Sequence, residues 1–414
     1  MKIVVFNVKF SENLGDGILA QCLEEVLCRD GGIEVETIDL AGRVRFGATT
    51  PHRRSAVRAL HVLPSFARRL AVTYALRSKL RALGDEWDRK IADADAVVLG
   101  GGNLFQDDDL NFPLKIGTLL DRIRRNRKPF AVYAVGVSGA WSPRALELFQ
   151  QIENTNLVYL SVRDTASRDN WQRHFPGGQV PLVVPDPGLF ARDLLATSAV
   201  ASVSGGESVV GICVTDPMIL ARHSGRRPHR ICFRTVGEYV ELIRMLVLRG
   251  DRVHLFSNGA REDQAFAERI FCDSRIAPSR AVGMLHLAAR PRTPRELLEM
   301  LRSNSVVLAH RLHACIAAYA LGIPHVGLGW DPKVASFFRS VGRERYFADG
   351  PAITPERVAL LLAEATESGI DETAQAAGLA AGTDAVRALR DRLRASETTA
   401  DEPMSWSRHR LAQP

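Results

Sequence analysis

Four stretches of the chain set polar or glycine-rich residues directly after apolar, strand-like runs. The run 305–309 is followed by His310-Arg311-Leu312-His313-Ala314-Cys315 and an alanine-rich helical pattern. Gly322-Ile323-Pro324-His325 then enters another short strand, which ends at Gly329-Trp330-Asp331-Pro332-Lys333. Arg311, His313 and Lys333 thus fall on two adjacent strand-end loops. A lone histidine is most often structural. A histidine close to an arginine at a helix N-terminus suits an anionic ligand, because both side chains and the free N–H groups present positive charge.

The other three stretches lie earlier. Asn13-Leu14-Gly15-Asp16-Gly17 follows the first strand and opens a helix. Its glycines allow close backbone approach, and Asp16 can orient a sugar hydroxyl or take its proton; a plain N-cap is the competing role for Asp16. Gly100-Gly101-Gly102-Asn103 follows Val97-Val98-Leu99. Three consecutive glycines after a buried strand point to a backbone nest or a tight ligand contact. The last stretch comprises Gly136-Val137-Ser138-Gly139 and Ser161-Val162-Arg163-Asp164. Arg163 can grip a carboxylate or phosphate with two parallel bonds, or pair structurally with Asp164. No Gly-Lys-Ser/Thr follows the triple glycine, and the third glycine of a dinucleotide fingerprint is missing. The metalloprotease and serine-hydrolase patterns are absent as well.

The elements that must carry these loops are legible. Strands fit 2–8, 33–39, 94–99, 130–137, 157–162 and 180–184, with helices at 16–29, 113–127, 143–154 and 165–173. After a Pro- and Gly-broken, small and polar connection (185–207), strands fit 208–214, 252–257, 305–309 and 325–328. Helices there fit 236–249, 262–272, 294–302, 312–321 and 333–341. Strand–helix alternation implies parallel sheets covered on both faces. The expected fold is therefore α/β, with two Rossmann-like lobes facing a central cleft. Ligands in such sheets bind beyond the carboxyl ends of strands. The expected limits are 1–190 for the first lobe and 205–350 for the second. A helical segment follows at 351–396, interrupted near Gly378 and Gly382, and a disordered tail at 397–414.

With 414 residues, 46% hydrophobic and 24% charged, the chain has an ordinary globular balance. Its apolar runs are too short to span a bilayer. The N-terminus reads as a buried strand without a cleavable leader, which argues for a cytoplasmic protein. Six cysteines form no C-x-x-C pair and read as reduced, buried thiols.

The net charge of +7 is local: residues 43–90 hold twelve Lys/Arg against three Asp/Glu. There Leu63, Phe66, Leu70 and Tyr74 recur at helical spacing among Arg68, Arg69, Arg77, Lys79 and Arg81, with Pro64 opening the helix. One reading is a solvated arginine face on a helix packed against the sheet. The other is a peripheral contact of 63–83 with the inner face of an anionic membrane. No nucleic-acid-binding motif accompanies the charge.

Taken in order and spacing, the set resembles the polysaccharide pyruvyl transferase family. The matching residues are Asn13-x-Gly15-Asp16, Gly100–Asn103, Arg163-Asp164-x-x-Ser167, Asp186-Pro187, Arg311-Leu312-His313-Ala314, Gly322-x-Pro324 and Asp331-x-Lys333-Val334. The basic insertion and the tail after Gly350 fall outside it.

The resemblance implies a GT-B-like fold. It also implies transfer of pyruvate from phosphoenolpyruvate to a sugar as a cyclic ketal, during the making of a surface polysaccharide. On that reading His313 and then Asp16 are the acid/base candidates. Arg163, Arg311 and Lys333 clamp the donor, while Asn13, Gly15, Gly100, Gly101, Gly102 and Asn103 line the substrate site. His310 lies outside the pattern. No metal or cofactor is called for. The partners are phosphoenolpyruvate and a sugar or oligosaccharide acceptor, free or lipid-linked. The alternatives are a GT-B glycosyltransferase using a nucleotide sugar, and a polymer-binding protein that kept the fold without the activity.

Overall fold

The computed structural model describes residues 1–29, 31–47, 64–196, 208–224 and 231–398. The tail from 399 onward, Leu63, and most of the 185–207 connection after residue 196 lie outside the described residues.

Buried, near-continuous apolar runs form two six-stranded sheets. The first holds β1 (Lys2–Asn7), β2 (Glu34–Asp39), β3 (Ala96–Gly100), β4 (Pro129–Val135), β5 (Asn156–Val162) and β6 (Leu182–Val183). Their order is β2-β1-β3-β4-β5-β6. The second holds β7 (Val209–Val214), β8 (Arg252–Ser257), β9 (Leu285–Leu287), β10 (Val306–Ala309), β11 (His325–Leu328) and β12 (Phe347–Ala348). Their order is β12-β11-β10-β7-β8-β9. Every strand pairing is parallel. That fits strands apolar on both faces, since a parallel sheet must be covered on both sides. The order reverses between β1 and β3 in one sheet and between β7 and β10 in the other, and those are the points where such sheets open a crevice.

The chain divides into two compact units. One takes Met1–Lys9, Leu23–Asp186 and the residues from Ala381; the other takes Phe10–Cys22 and Pro187–Ala380. The loop after β1 and the first turns of the helix Leu14–Cys28 are thus part of the second unit.

Local chemistry starts the helices where the periodicity predicts. Ser142, Asp164, Thr293, Asp331 and Thr354 each accept a backbone N–H at a helix start, and Thr235 forms a capping box with Glu238. In the first unit, Phe105 packs between Trp171 (5.2 Å between ring centroids) and Phe149 (5.0 Å), fixing the loop after β3 from below.

Some expectations are corrected. The C-terminal helices are Pro355–Ser368 and Glu372–Thr398, and the break falls at Gly369 (φ 65°). Gly378 and Gly382 lie inside the second helix: an isolated glycine weakens a helix by only about 1 kcal/mol, which neighbouring turns absorb. The short strands β9 and β12 and the helices Pro217–Ser224 and Ala277–Ala281 were too brief to show a periodicity. All six cysteines are free; Cys22, Cys213, Cys232 and Cys315 are buried, whereas Cys28 and Cys272 are exposed at helix ends. The basic helix spans Ser65–Ala92 with Pro64 as its N-cap, but Leu70 and Tyr74 stand 67% and 84% exposed, not packed on the sheet. Leu76, Leu80, Leu83 and Trp87 form its inner face. No helix among the described residues is long and apolar enough to cross a membrane.

Candidate functional site

In the second unit the site is built at the carboxyl end of β10. That strand is buried throughout, so the chain first meets polar surroundings at His310 and Arg311, where the helix Leu312–Ala320 begins. His313 stands in its first turn. Its Nδ1 lies 3.2 Å from Oδ1 of Asp16, which sits inside the first turn of Leu14–Cys28 and not at its N-cap. Gly15 makes the approach feasible: a Cβ there would lie 2.5 Å from His313 Cβ. The Asn13–Gly17 loop is held by the carboxyl end of β8. Leu14 N donates to Asn258 O (2.9 Å), and the Asn258 amide donates to Asn13 Oδ1. The His313 side chain is 11% exposed, and its buried Nε2 has no partner among the described residues. An imidazole held at Nδ1 by a carboxylate and open at Nε2 can exchange a proton with a bound molecule.

Arg311 is anchored from beneath. Its Nη2 lies 2.7 Å from Oδ2 of the fully buried Asp263, whose Oδ1 accepts the Asp216 N–H at 2.9 Å. Burial pushes the Asp263 carboxyl up, and Arg311 opposes the shift. Part of the guanidinium is therefore committed within the protein. The pair ties the end of β10 to the helix Arg261–Phe271 after β8, and through the Asp216 N–H to the loop after β7, the strand beside β10. Lys333 lies in the first turn of the helix Pro332–Ser340, its Nζ 3.4 Å from Asp331 Oδ2 and 4.3 Å from the Trp330 ring centre. Trp330 Nε1 donates to His310 O at 2.7 Å, linking the loops after β10 and β11. His310 itself is fully buried between Cys232 O (3.0 Å) and the Tyr239 hydroxyl (3.5 Å), and burial pushes it down to about 4. It is a neutral core histidine.

The first unit carries the remaining predicted residues. β3 ends at Gly100, and Gly101 (φ 73°) and Gly102 (φ 80°) turn in the left-handed region. Gly101 N donates to Tyr133 O (2.9 Å) and Gly136 N to Gly102 O (2.8 Å), so this turn interlocks with the loop after β4. A register shift in β4 places Ala134 at φ 49°, its N–H on Ser161 Oγ at 3.1 Å, and re-aims that loop. Arg163 and Asn103 meet over Gly136: a Cβ there would lie 2.7 Å from Arg163 Nη2 and clash with Asn103 Oδ1. Arg163 is nearly buried, between Asp164 Oδ2 (3.4 Å) and Asp186 Oδ2 (3.9 Å). Asp164 also caps its helix through Ser167 N (2.7 Å), and Ser167 Oγ accepts Val137 N (3.1 Å). The spacing Arg163-Asp164-x-x-Ser167 thus holds the loop as well as presenting the arginine.

The structure therefore joins Asn13, Gly15, Asp16 and His313 in one cluster, and Gly102, Asn103 and Arg163 in another. Two contributors were missed. Asn258 had a signal, an Asn-Gly pair after a predicted strand, with Gly259 at φ 99°. Asp263 had none, because a carboxylate in the first turn of a helix is ordinary. No group of three or more His, Cys, Asp or Glu is placed to hold a metal ion among the described residues.

Two parallel α/β units with Rossmann-type strand orders define a GT-B-like, two-lobed protein. Solved structures share this fold at about 10% identity. The UDP-N-acetylglucosamine 2-epimerase of Rickettsia bellii has TM-score 0.54 at 10% identity, covering 96% of this chain and 98% of that one. A putative UDP-N-acetylglucosamine 2-epimerase from Listeria monocytogenes has 0.53 at 10% identity (97% and 98%). The UDP-GlcNAc 2-epimerase of Methanocaldococcus jannaschii, in complex with UDP-GlcNAc and UDP, has 0.51 at 10% identity (94% and 98%). No curated protein matches the sequence. Residues 13–332 match the family profile described as polysaccharide pyruvyl transferase, and that stretch holds every residue of both clusters. The chain belongs to the polysaccharide pyruvyl transferase family, a family of transferases.

Proposed function

We propose that the protein transfers pyruvate from phosphoenolpyruvate to two hydroxyls of a sugar, forming a cyclic ketal and releasing phosphate. The observation that carries this reading is the His313–Asp16 pair: one ring nitrogen is held by a carboxylate and the other, Nε2, has no partner among the described residues. His313 gives a proton to C3 of the enol, leaving C2 electron-poor. A sugar hydroxyl attacks C2 and gives up its proton, and the C2–O bond to phosphate breaks with its electrons going to phosphate. The second hydroxyl then adds to C2 and loses its proton. One hydroxyl proton balances that gained by C3; the other leaves with phosphate. Arg311, Lys333 and Arg163 supply positive charge for carboxylate and departing phosphate. Asn13 and Gly15 set the backbone against the substrate, as do the Gly100–Gly102 turn and Asn103. No cofactor or metal enters the scheme.

The reading extends to place. The acceptor is a surface-polysaccharide sugar or its precursor, met at the inner face of the membrane. Leu70 and Tyr74 stand out from the basic helix near Arg77 and Arg81, which are also exposed, and this supports a peripheral contact with anionic lipid. Flotation with liposomes should retain the protein only when anionic lipid is present.

The decisive assay incubates the protein with phosphoenolpyruvate and candidate acceptors, reading by mass spectrometry an added pyruvyl ketal and, in parallel, released phosphate. Calorimetry against UDP-sugars is the control: tight binding of a nucleotide sugar with none of phosphoenolpyruvate would replace this reading by the glycosyltransferase one.

A further inference from the structure

Most histidines with a described environment are engaged by the protein itself. His310 and His325 are fully buried and bonded to backbone carbonyls, and His313 pairs with Asp16. His174 Nε2 lies 3.0 Å from Ser138 O, with its ring stacked on Trp141. His254 and His286 differ from these, because the second sheet makes them neighbours of each other. His254 on β8 is the direct register partner of His286 on β9, the edge strand, and of Gly211 on β7. The two imidazoles stand 5.5 Å apart between ring centres, tilted by 33°.

The His254 ring is set by what lies behind it. Asn304 Nδ2 donates to Met300 O (2.5 Å) and Leu301 O (3.2 Å), at the end of the helix Pro294–Arg302. Its Oδ1 is thereby turned to His254 Nδ1, 3.2 Å away. A carbonyl oxygen can only accept, so the hydrogen sits on Nδ1 and the lone pair on Nε2. Gly211 makes room for the amide: a Cβ there would lie 2.6 Å from Asn304 Cγ. Among the described residues His254 Nε2 has no hydrogen-bond partner, and neither has the ring of His286, which is exposed.

A metal-ligating histidine takes this form: an oxygen holds one ring N–H and so fixes the tautomer and the ring orientation, leaving the other nitrogen for the ion. A nitrogen–zinc bond of about 2.0–2.1 Å sets an ion about 3.2 Å from the centre of the ring that binds it. Two ring centres 5.5 Å apart then subtend about 120° at that ion, near the tetrahedral angle. His286 is exposed, so rotation about its side-chain bonds can bring a nitrogen to that point. Neutral imidazoles suit zinc, nickel and copper; magnesium and calcium need oxygen ligands.

We propose that His254 and His286 bind one zinc-class divalent ion on the second sheet, with water completing its shell and Asn304 as the positioning residue behind His254. The ion clips the three-residue edge strand β9 to β8, its one partner in the sheet. The site uses no residue of the two clusters described above and owes nothing to the pyruvyl-transfer reading.

The test uses the full chain, stripped with a chelator and labelled with ¹⁵N-histidine, with ring signals assigned from the variants. Long-range ¹H–¹⁵N spectra should show the His254 hydrogen on Nδ1. Zn²⁺ should shift His254 Nε2 and a ring nitrogen of His286 together, saturating at one equivalent, and Mg²⁺ should shift neither. Equilibrium dialysis with metal analysis should show this equivalent bound at least tenfold more weakly by His286→Asn, an exposed position where folding is not at stake, and by His254→Asn. Zn²⁺ should raise the melting temperature of the unaltered protein more than that of His286→Asn. In Asn304→Ala the His254 tautomer should shift toward Nε2–H and Zn²⁺ affinity should fall by about tenfold or more; an unchanged tautomer and affinity overturn the role of Asn304. Ring signals of His254 and His286 unmoved by Zn²⁺, or undiminished Zn²⁺ affinity in His286→Asn, overturn the site.

Discussion

His313 pairs with Asp16 and leaves no room for a side chain at Gly15, and three predictions follow. His313→Ala should lower phosphate release from phosphoenolpyruvate by at least about 10²-fold, the usual contribution of an acid/base group, with melting temperature nearly unchanged. Asp16→Asn keeps a hydrogen-bonding oxygen but removes the charge, so its loss should be smaller and fall on kcat more than on KM. Gly15→Ala adds a methyl 2.5 Å from His313 Cβ, where a main-chain shift must follow. Turnover should fall at least tenfold although no reactive group is removed, and circular dichroism should show the helices intact. These residues were legible because glycine, aspartate and histidine are few and their order along the chain is specific. Their pairing was not legible: nearly three hundred residues separate Asp16 from His313, and no local rule states which strand-end loops meet.

Among the elements, β10 and the helix after it depend on a partner from elsewhere in the chain. Asp263→Ala would leave the Arg311 guanidinium without its buried counter-charge, which typically costs about 3–5 kcal/mol. An unfolding free energy, from urea titration, lowered by less than about 1 kcal/mol would show that the pair is not what holds the strand end. Periodicity and capping gave most strands and helices to within a few residues, because those signals act over one turn or one pleat. The exposed stripe of the helix Ser65–Ala92 and the uninterrupted run through Gly378 and Gly382 escaped that reading. Which stripe of a helix meets the sheet, and whether a glycine breaks it, depend on packing partners that spacing does not name.

At the scale of the whole molecule, two buried histidines couple folding to pH. His310 is held down to about 4 and His325 to about 3, both by burial. Their folded values lie below the unfolded value of roughly 6.5. Between about pH 6.5 and 4 the unfolded chain therefore binds up to two more protons than the folded one. Stability is full above that window and falls as pH drops through it, with a slope from these two residues of up to ~2.7 kcal/mol per pH unit. Urea unfolding at pH 7, 6 and 5 checks this; replacing His310 and His325 by Asn should flatten the fall, and an unaltered slope in that variant would assign it to other groups.

By itself the sequence determined that the chain alternates buried strands with capped helices, that glycine and cationic residues sit where strands end, and that their order is that of a pyruvyl transferase. Those properties are local, set by side-chain hydration and backbone freedom over a few residues. Only the tertiary structure decided that Asp16 meets His313, that Asp263 anchors Arg311, and that Gly136 seats Arg163 against Asn103. Each of these depends on strand order within a parallel sheet, where crossovers bring distant segments to one edge, and on the desolvation that only packing creates.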